Sequence, residues 1–156
     1  MTHAGASIPT MRLSVRAADA KVELVAQSVI RTCVDRLGLS GAPLPIPIDD
    51  WIERPLGYRF SVASEEEMGT GVLGIARRAE REILVSETLL GNEGRYRFTF
   101  AHELGHMTLH SSARDHYRDE VMPHPAGAPE VEREADRFAA AMLMPIDLLP
   151  AAFAGV

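Results

Sequence analysis

The chain has 156 residues, of which 46% are hydrophobic and 24% are charged, and its formal net charge is −6 at pH 7. These values are typical of a single globular domain and exclude both a disordered chain and a membrane-embedded one. The sequence shows no dense cluster of Lys and Arg and no apolar run of membrane-spanning length, so we expect no direct binding to nucleic acid and no membrane partner.

The N-terminal region is interpreted as a flexible lead over residues 1–16, followed by a single domain over residues 17–156. Residues 1–19 lack the basic segment and the apolar segment of a signal peptide, so we expect a cytoplasmic protein. The single cysteine, Cys33, excludes an internal disulfide. It occupies an apolar position in a helical pattern and is interpreted as a small buried side chain rather than a nucleophile or ligand.

Apolar periodicity predicts one long helix near the N-terminus. From Ala20 to Leu37, apolar residues recur three and four positions apart and form one face, and Gly38 is placed to end the helix. Residues 43–47 alternate proline with leucine and isoleucine, and they must be extended because proline disfavours helix in the preceding residue. Residues 49–53 predict a short helix that ends before Pro55.

After residue 57 the spacing of apolar residues changes from helical to alternating. The segment that follows predicts a small antiparallel sheet of about three strands. The strands are predicted at residues 58–62, 71–76 and 82–86. Three consecutive glutamates at residues 65–67 are interpreted as a solvated turn rather than a metal site. Strands between helices in this order favour an α+β fold, with the sheet packed against an N-terminal helix and the helices that follow.

The second half of the chain predicts two longer helices separated by a polar segment. Asn92 is placed to cap a helix that runs from about residue 95 to 110. Residues 111–129 are polar, contain proline and glycine, and predict a loop. A last long helix is predicted from about residue 130 to 144, and a short helix at residues 146–153 closes the chain.

The most informative motif lies in the first of these two helices. Residues 102–106 read His-Glu-Leu-Gly-His, an H-E-x-x-H pentad. Residues four apart share one face of a helix and lie about 6 Å apart along its axis, so His102 and His106 can ligate one Zn²⁺. Glu103 can reach the attacking water as general base. The motif therefore indicates zinc-dependent hydrolysis, most simply of a peptide bond.

The surroundings of the pentad support this interpretation. Apolar residues cover most of the circumference of this helix, a pattern typical of a buried helix. Buried histidine and glutamate side chains are costly unless they are paired or bound to metal. Gly105 inside the helix predicts the close approach of another backbone.

A catalytic zinc site needs a third protein ligand and leaves one position for water. His110 is four residues beyond His106, but it would lie about 9 Å from the metal along the helix axis, so helix geometry argues against it as a ligand. We interpret His110 as a helix-end residue or as one that supports a ligand. No H-x-x-G-x-x-H continuation follows the pentad, so the metzincin ligand set is absent.

The last long helix offers four carboxylates. On a helical wheel, Glu132 and Asp136 lie at the edge of the apolar arc, whereas Glu130 and Glu134 lie on the far side, among arginines. We therefore predict Glu132 as the third ligand and keep Glu134 as the alternative, although a solvated residue paired with a neighbouring arginine fits Glu134 better. Asp136, one turn after Glu132, is placed to accept the free N–H of a ligating histidine.

Two blocks of sequence carry a family resemblance. The first, over residues 95–110, follows the pattern R-x-R-F-T-x-A-H-E-L-G-H-x-x-x-H, and the second, over residues 132–145, follows E-x-E-A-D-x-F-A-A-x-M-L-M-P. Together they resemble the ImmA/IrrE family of metallopeptidases, and residues 51–57 are more weakly similar to the family's entry to its sheet. The resemblance covers about residues 20–150.

The resemblance implies a gluzincin-like site that binds one Zn²⁺ per chain. Its ligands would be His102, His106 and a glutamate of the second block, with Glu103 as catalytic base. It also implies a biological role: site-specific cleavage of a helix-turn-helix transcriptional repressor, which derepresses mobile-element or stress genes. The expected partner is therefore a protein substrate, and the oligomeric state is left open.

Other functions remain open. The domain can act by binding alone, as an antirepressor or as a toxin–antitoxin partner, without proteolysis. The intact His-Glu-His set argues against pure binding, because a binder has no need of Glu103. A general degradative peptidase is disfavoured, because the sequence shows no pro-segment or lid that would protect the host.

Substrate contacts are less well defined by the sequence. We expect the substrate to lie extended along an edge strand near residues 83–86, where main-chain hydrogen bonds would add it to the sheet. His116, Tyr117 and His124 are candidate oxyanion donors, although each is also typical of a plain loop residue. Arg97 is interpreted as a member of a structural ion pair in preference to a substrate contact.

Overall fold

The computed structural model describes residues 8–110, 116–119, 127–146 and 148, and of residues 8–16 and 116–119 it describes the backbone alone. Within these ranges the helices are α1 (Ile8–Arg36), α2 (Ile48–Glu53), α3 (Glu65–Met68), α4 (Glu93–Leu109) and α5 (Glu130–Leu143), and the strands are β1 (Arg59–Ala63), β2 (Gly74–Arg77), β3 (Glu82–Ser86) and β4 (His116–Asp119). None of the helices in the described ranges is long and apolar enough to cross a membrane. The α+β class predicted from the sequence is confirmed.

The sheet is mixed and has the strand order β1-β3-β2-β4. Strand β2 pairs antiparallel with β3, as the sequence predicts, and also with β4, whereas β1 pairs in parallel with β3. The parallel pair arises because α3 and β2 lie between β1 and β3 in the chain, and a parallel pair requires such a crossover. The prediction of a purely antiparallel sheet is therefore wrong in this one pairing.

The fourth strand lies inside the segment that the sequence predicts as a loop. Strand β4 has the sequence His-Tyr-Arg-Asp, which shows none of the apolar alternation of a half-buried strand. It pairs with β2 alone in the described part of the sheet, so its backbone hydrogen bonds rather than an apolar face define it. Pattern reasoning misses strands of this kind.

The helix boundaries also differ from the predicted ones. Helix α1 begins at Ile8, so residues 8–16, which the sequence assigns to the lead, form its first turns. Pro9 falls in the first turn, where the missing N–H needs no partner. Residues 1–7 lie outside the described residues, as does most of the closing helix predicted at residues 146–153.

The glutamates at residues 65–67 form the one-turn helix α3 rather than a plain turn. The Ser64 side chain accepts a hydrogen bond from the Glu67 backbone N–H, and the Glu67 carboxylate accepts one from the Ser64 N–H at 3.0 Å. This capping box satisfies two backbone donors that a helix N-terminus would otherwise leave unpaired. All three glutamates are exposed, in agreement with a solvated segment.

The core lies between the sheet and helices α1, α2, α4 and α5. Phe100 of α4 is fully buried and meets Phe60 of β1 and Tyr96 edge to face, with ring centroids 5.1 and 4.8 Å apart. Each large apolar side chain buried in this way contributes about 1.5–3 kcal/mol. The contact between Phe60 and Phe100 packs α4 against the sheet, whereas Tyr96 belongs to α4 itself.

Cys33 is buried on the inner face of α1, as the sequence predicts. Burial raises the pKa of its thiol to about 11, and nearby Arg36 opposes this shift only in part. A thiol in this state is a poor nucleophile and a poor ligand. Its role is packing.

Candidate active site

Three candidate ligand atoms converge where α4 faces α5. The Nε2 atom of His106 lies 3.0 Å from Nε2 of His102 and 3.1 Å from Oε2 of Glu132, and the distance from Nε2 of His102 to the same carboxylate oxygen is 3.4 Å. Tetrahedral nitrogen and oxygen donors around zinc would lie about 3.3 Å from one another. The donor set and its spacing therefore fit a metal ion such as zinc.

The cluster is almost closed to solvent. Both histidines are fully buried, and the Glu132 side chain keeps 14% of its surface exposed, so the open side of the cluster lies at Glu132. Glu132 also belongs to the first turn of α5, where the helix dipole favours a negative charge. The cluster has the character of a buried centre with one accessible side.

Asp136 lies one turn after Glu132 and contacts the first histidine. Its Oδ1 atom is 2.8 Å from Nδ1 of His102. A carboxylate at this position accepts the Nδ1–H of the imidazole, and Nε2 is then left with its lone pair facing the other two ligand atoms. The structure thus brings Asp136 to the position that the helical wheel predicts.

His110 contacts His106 on its Nδ1 side, opposite the Nε2 atom that is the candidate ligand. Its Nδ1 atom lies 2.9 Å from Nδ1 of His106, and its Nε2 atom lies 2.9 Å from Oε2 of Glu134. Burial lowers the pKa of His110, and the hydrogen bond with Glu134 opposes that shift. Glu134, the alternative ligand in the sequence, contacts this outer histidine and not the cluster of Nε2 atoms.

Glu103 is fully buried and lies against the backbone of β2. A Cβ atom at Gly74 would lie 2.1 Å from Oε1 of Glu103 and 2.9 Å from Cγ2 of Thr99, so only glycine leaves room for this carboxylate. Gly74 was not among the site residues predicted from the sequence. The available signal was a glycine within a predicted strand, which often marks a close approach of another group to the backbone.

Arg78, in the turn between β2 and β3, was missed as well. Its guanidinium donates to the carbonyl oxygens of His106 at 3.3 Å, of Met107 at 3.1 Å and of His110. These carbonyls end α4, where a positive charge also interacts favourably with the helix dipole. Arg78 thus holds the end of the helix that carries the pentad.

Several predicted substrate contacts change. Arg97 donates to the backbone carbonyl of Ile46 at 2.6 Å, a contact that agrees with a structural role in preference to a substrate contact. Strand β3, which contains residues 83–86, is flanked by β1 and β2 and offers no free edge, so the predicted docking strand is wrong. Strand β4 is the outer strand next to Gly74.

The candidate oxyanion donors fall largely outside the described residues. His124 lies outside them entirely. The backbone of His116 and Tyr117 belongs to β4, but their side chains are not described.

The profile of the peptidase family described as the IrrE N-terminal-like domain matches residues 57–155, which is more than half of the chain and includes the sheet, α4 and α5. The chain belongs to this family. Membership supports a metallopeptidase-type function, in agreement with the cluster of two histidines and a glutamate. No curated protein sequence matches this member of the IrrE N-terminal-like family.

The packing of Gly74 gives a direct test of the site's geometry. Gly74→Ala should lower the free energy of unfolding by about 1–3 kcal/mol, because the new methyl group forces a buried carboxylate and a threonine methyl to move. Urea unfolding measures the change. Gly91→Ala is the matched control, since its Cβ would meet nothing within 4 Å. A Gly74→Ala protein as stable as the control would contradict the close contact with Glu103.

Proposed function

We propose that this protein is a zinc-dependent endopeptidase that cleaves a helix-turn-helix transcriptional repressor at a specific site and so derepresses mobile-element or stress genes. The observation that carries the proposal is the meeting of His102, His106 and Glu132, with Glu103 fully buried on the helix that carries the two histidines. The repressor as substrate rests on the resemblance of the two sequence blocks to ImmA/IrrE proteins.

The donor set favours zinc over other common metals. Two imidazole nitrogens and one carboxylate oxygen form a ligand set typical of catalytic zinc sites, whereas calcium and magnesium prefer oxygen ligands alone. Three protein ligands leave a fourth position for water. When bound, zinc would supply Lewis acidity to the attacking water and to the scissile carbonyl.

Glu103 is our candidate for the general base. It follows His102 directly on α4, so its carboxylate lies next to the ligand face of the helix. In the proposed reaction it takes a proton from the attacking water and passes this proton to the leaving amine. The backbone at Gly74 limits the space available to the carboxylate and favours one position.

Strand β4 is our candidate for the docking edge. It is the outer strand of the described sheet on the side of β2, and β2 contributes Gly74 beside Glu103. An extended peptide can add to such an edge through main-chain hydrogen bonds, which impose little sequence preference. Specificity for one repressor would then come from its side chains and from contacts made away from this edge strand.

The ligand assignment is tested by metal content. Purified protein should bind about one zinc per chain, the stoichiometry of a three-ligand site. Glu132→Ala should lose the metal, because two histidines alone hold zinc poorly, whereas Glu134→Ala should still bind one equivalent at saturating zinc. Elemental analysis after dialysis measures both. The reverse pattern would move the third ligand to Glu134.

The catalytic assignment is tested by cleavage. The test substrate is any helix-turn-helix repressor found encoded next to this protein's gene, and gel electrophoresis with mass spectrometry identifies the products. The unaltered protein should cut this repressor at one site and leave casein intact. Glu103→Gln should keep its zinc and lose at least about 100-fold in rate, the scale expected for a general base.

Two results would contradict the proposal. Cleavage by Glu103→Gln at the unaltered rate would exclude the assigned base. Tight binding of the repressor by the zinc-loaded protein, without any cleavage, would instead support action as an antirepressor or a toxin–antitoxin partner.

A further inference from the structure

We infer that His110 and Glu134 form a positioning pair, which holds His106 in the tautomer whose Nε2 atom is free to bind the metal. The inference rests on the proposed zinc site and extends it to two residues that do not touch the metal. It starts from two contacts of 2.9 Å each, one between the Nδ1 atoms of the two histidines and one between His110 and the carboxylate of Glu134.

The positions of the protons on His106 and His110 follow from the contact between His110 and Glu134. An ionised carboxylate can only accept a hydrogen bond, so Glu134 requires a proton on Nε2 of His110. A neutral imidazole with its proton on Nε2 has a bare Nδ1, and that nitrogen accepts from the Nδ1–H of His106. Nε2 of His106 then presents its lone pair to the side where Nε2 of His102 and Oε2 of Glu132 lie.

The two histidines of the cluster are therefore oriented by different means. His102 donates directly to the carboxylate of Asp136 at 2.8 Å, whereas His106 reaches the carboxylate of Glu134 through an intervening imidazole. Both carboxylates belong to α5. Each histidine thus has its Nδ1 proton fixed by the helix that also supplies Glu132.

The intervening imidazole of His110 is held in place on several sides. Only 6% of its surface is exposed, and its backbone N–H donates to the carbonyl of His106 at 3.1 Å. The guanidinium of Arg78 donates to the carbonyl oxygen of His110 and to those of His106 and Met107. A helix end would otherwise fray, so these contacts give His110 the rigidity that a positioning residue requires.

The tautomers can be read in the unaltered protein. Long-range ¹H–¹⁵N spectra of zinc-loaded protein labelled at histidine distinguish a proton on Nδ1 from one on Nε2. We expect the proton on Nδ1 in His102 and His106 and on Nε2 in His110. A proton on Nδ1 of His110 would overturn the inference, and this measurement depends on no variant's folding.

Zinc affinity supplies the second measurement, by competition with a chromophoric chelator. His110→Ala should bind zinc about 10–100-fold more weakly, the loss typical when a partner of a ligating histidine is removed, and Glu134→Ala should show a smaller loss in the same direction. His110→Asn should recover most of the affinity, because its amide oxygen can accept the Nδ1–H of His106. Glu130→Ala, an exposed carboxylate of the same helix, is the matched control and should bind as the unaltered protein does.

The outcomes separate this inference from the proposed function. If the unaltered protein binds no zinc, both the proposed function and this inference are contradicted. An unaltered protein that binds zinc, together with a His110→Ala affinity within about twofold of it, would overturn the positioning pair alone, since loss of a partner should cost at least tenfold.

Discussion

Helices α4 and α5 touch at Gly105, where a Cβ atom would lie 3.2 Å from the Cα atom of Ala135 and 3.2 Å from the ring of Phe138. Because the two backbones come this close, short carboxylate side chains on α5 can reach the imidazoles of α4. The helices run in opposite directions at the contact, so one turn along α4 matches one turn along α5. His102 meets Asp136, and His106 meets Glu132. A wider separation would place these pairs out of contact.

The same packing places polar groups in an apolar interior. His102, Glu103 and His106 are fully buried on a helix whose other buried side chains are mostly apolar. Burial of such groups without partners costs several kcal/mol, so this stretch of α4 is stable only through what surrounds it. The carboxylates of α5 pair with the histidines, and a bound cation would offset much of the remaining cost. Stability and the candidate chemistry therefore depend on the same contacts.

The sequence was sufficient to predict those features of the site that depend on a single helix or a single turn. Asn92 caps α4 as expected, and the helical wheel placed Glu132 and Asp136 on the correct face of α5. The remaining features depend on contacts between distant segments. Gly74 gains its role only when β2 packs on α4, and the parallel pairing of β1 with β3 follows from the path of the chain between them. Contacts of this kind cannot be deduced from the spacing of residues along the sequence.

The proposed function requires that His102, His106 and Glu132 bind one zinc ion and leave a position for water. X-ray absorption at the zinc edge of the zinc-loaded protein tests this directly, because it counts the ligands by type. We expect two imidazole nitrogens and about two oxygens at roughly 2.0–2.2 Å. A third imidazole, or a sulfur shell near about 2.3 Å, would contradict the ligand set of His102, His106 and Glu132.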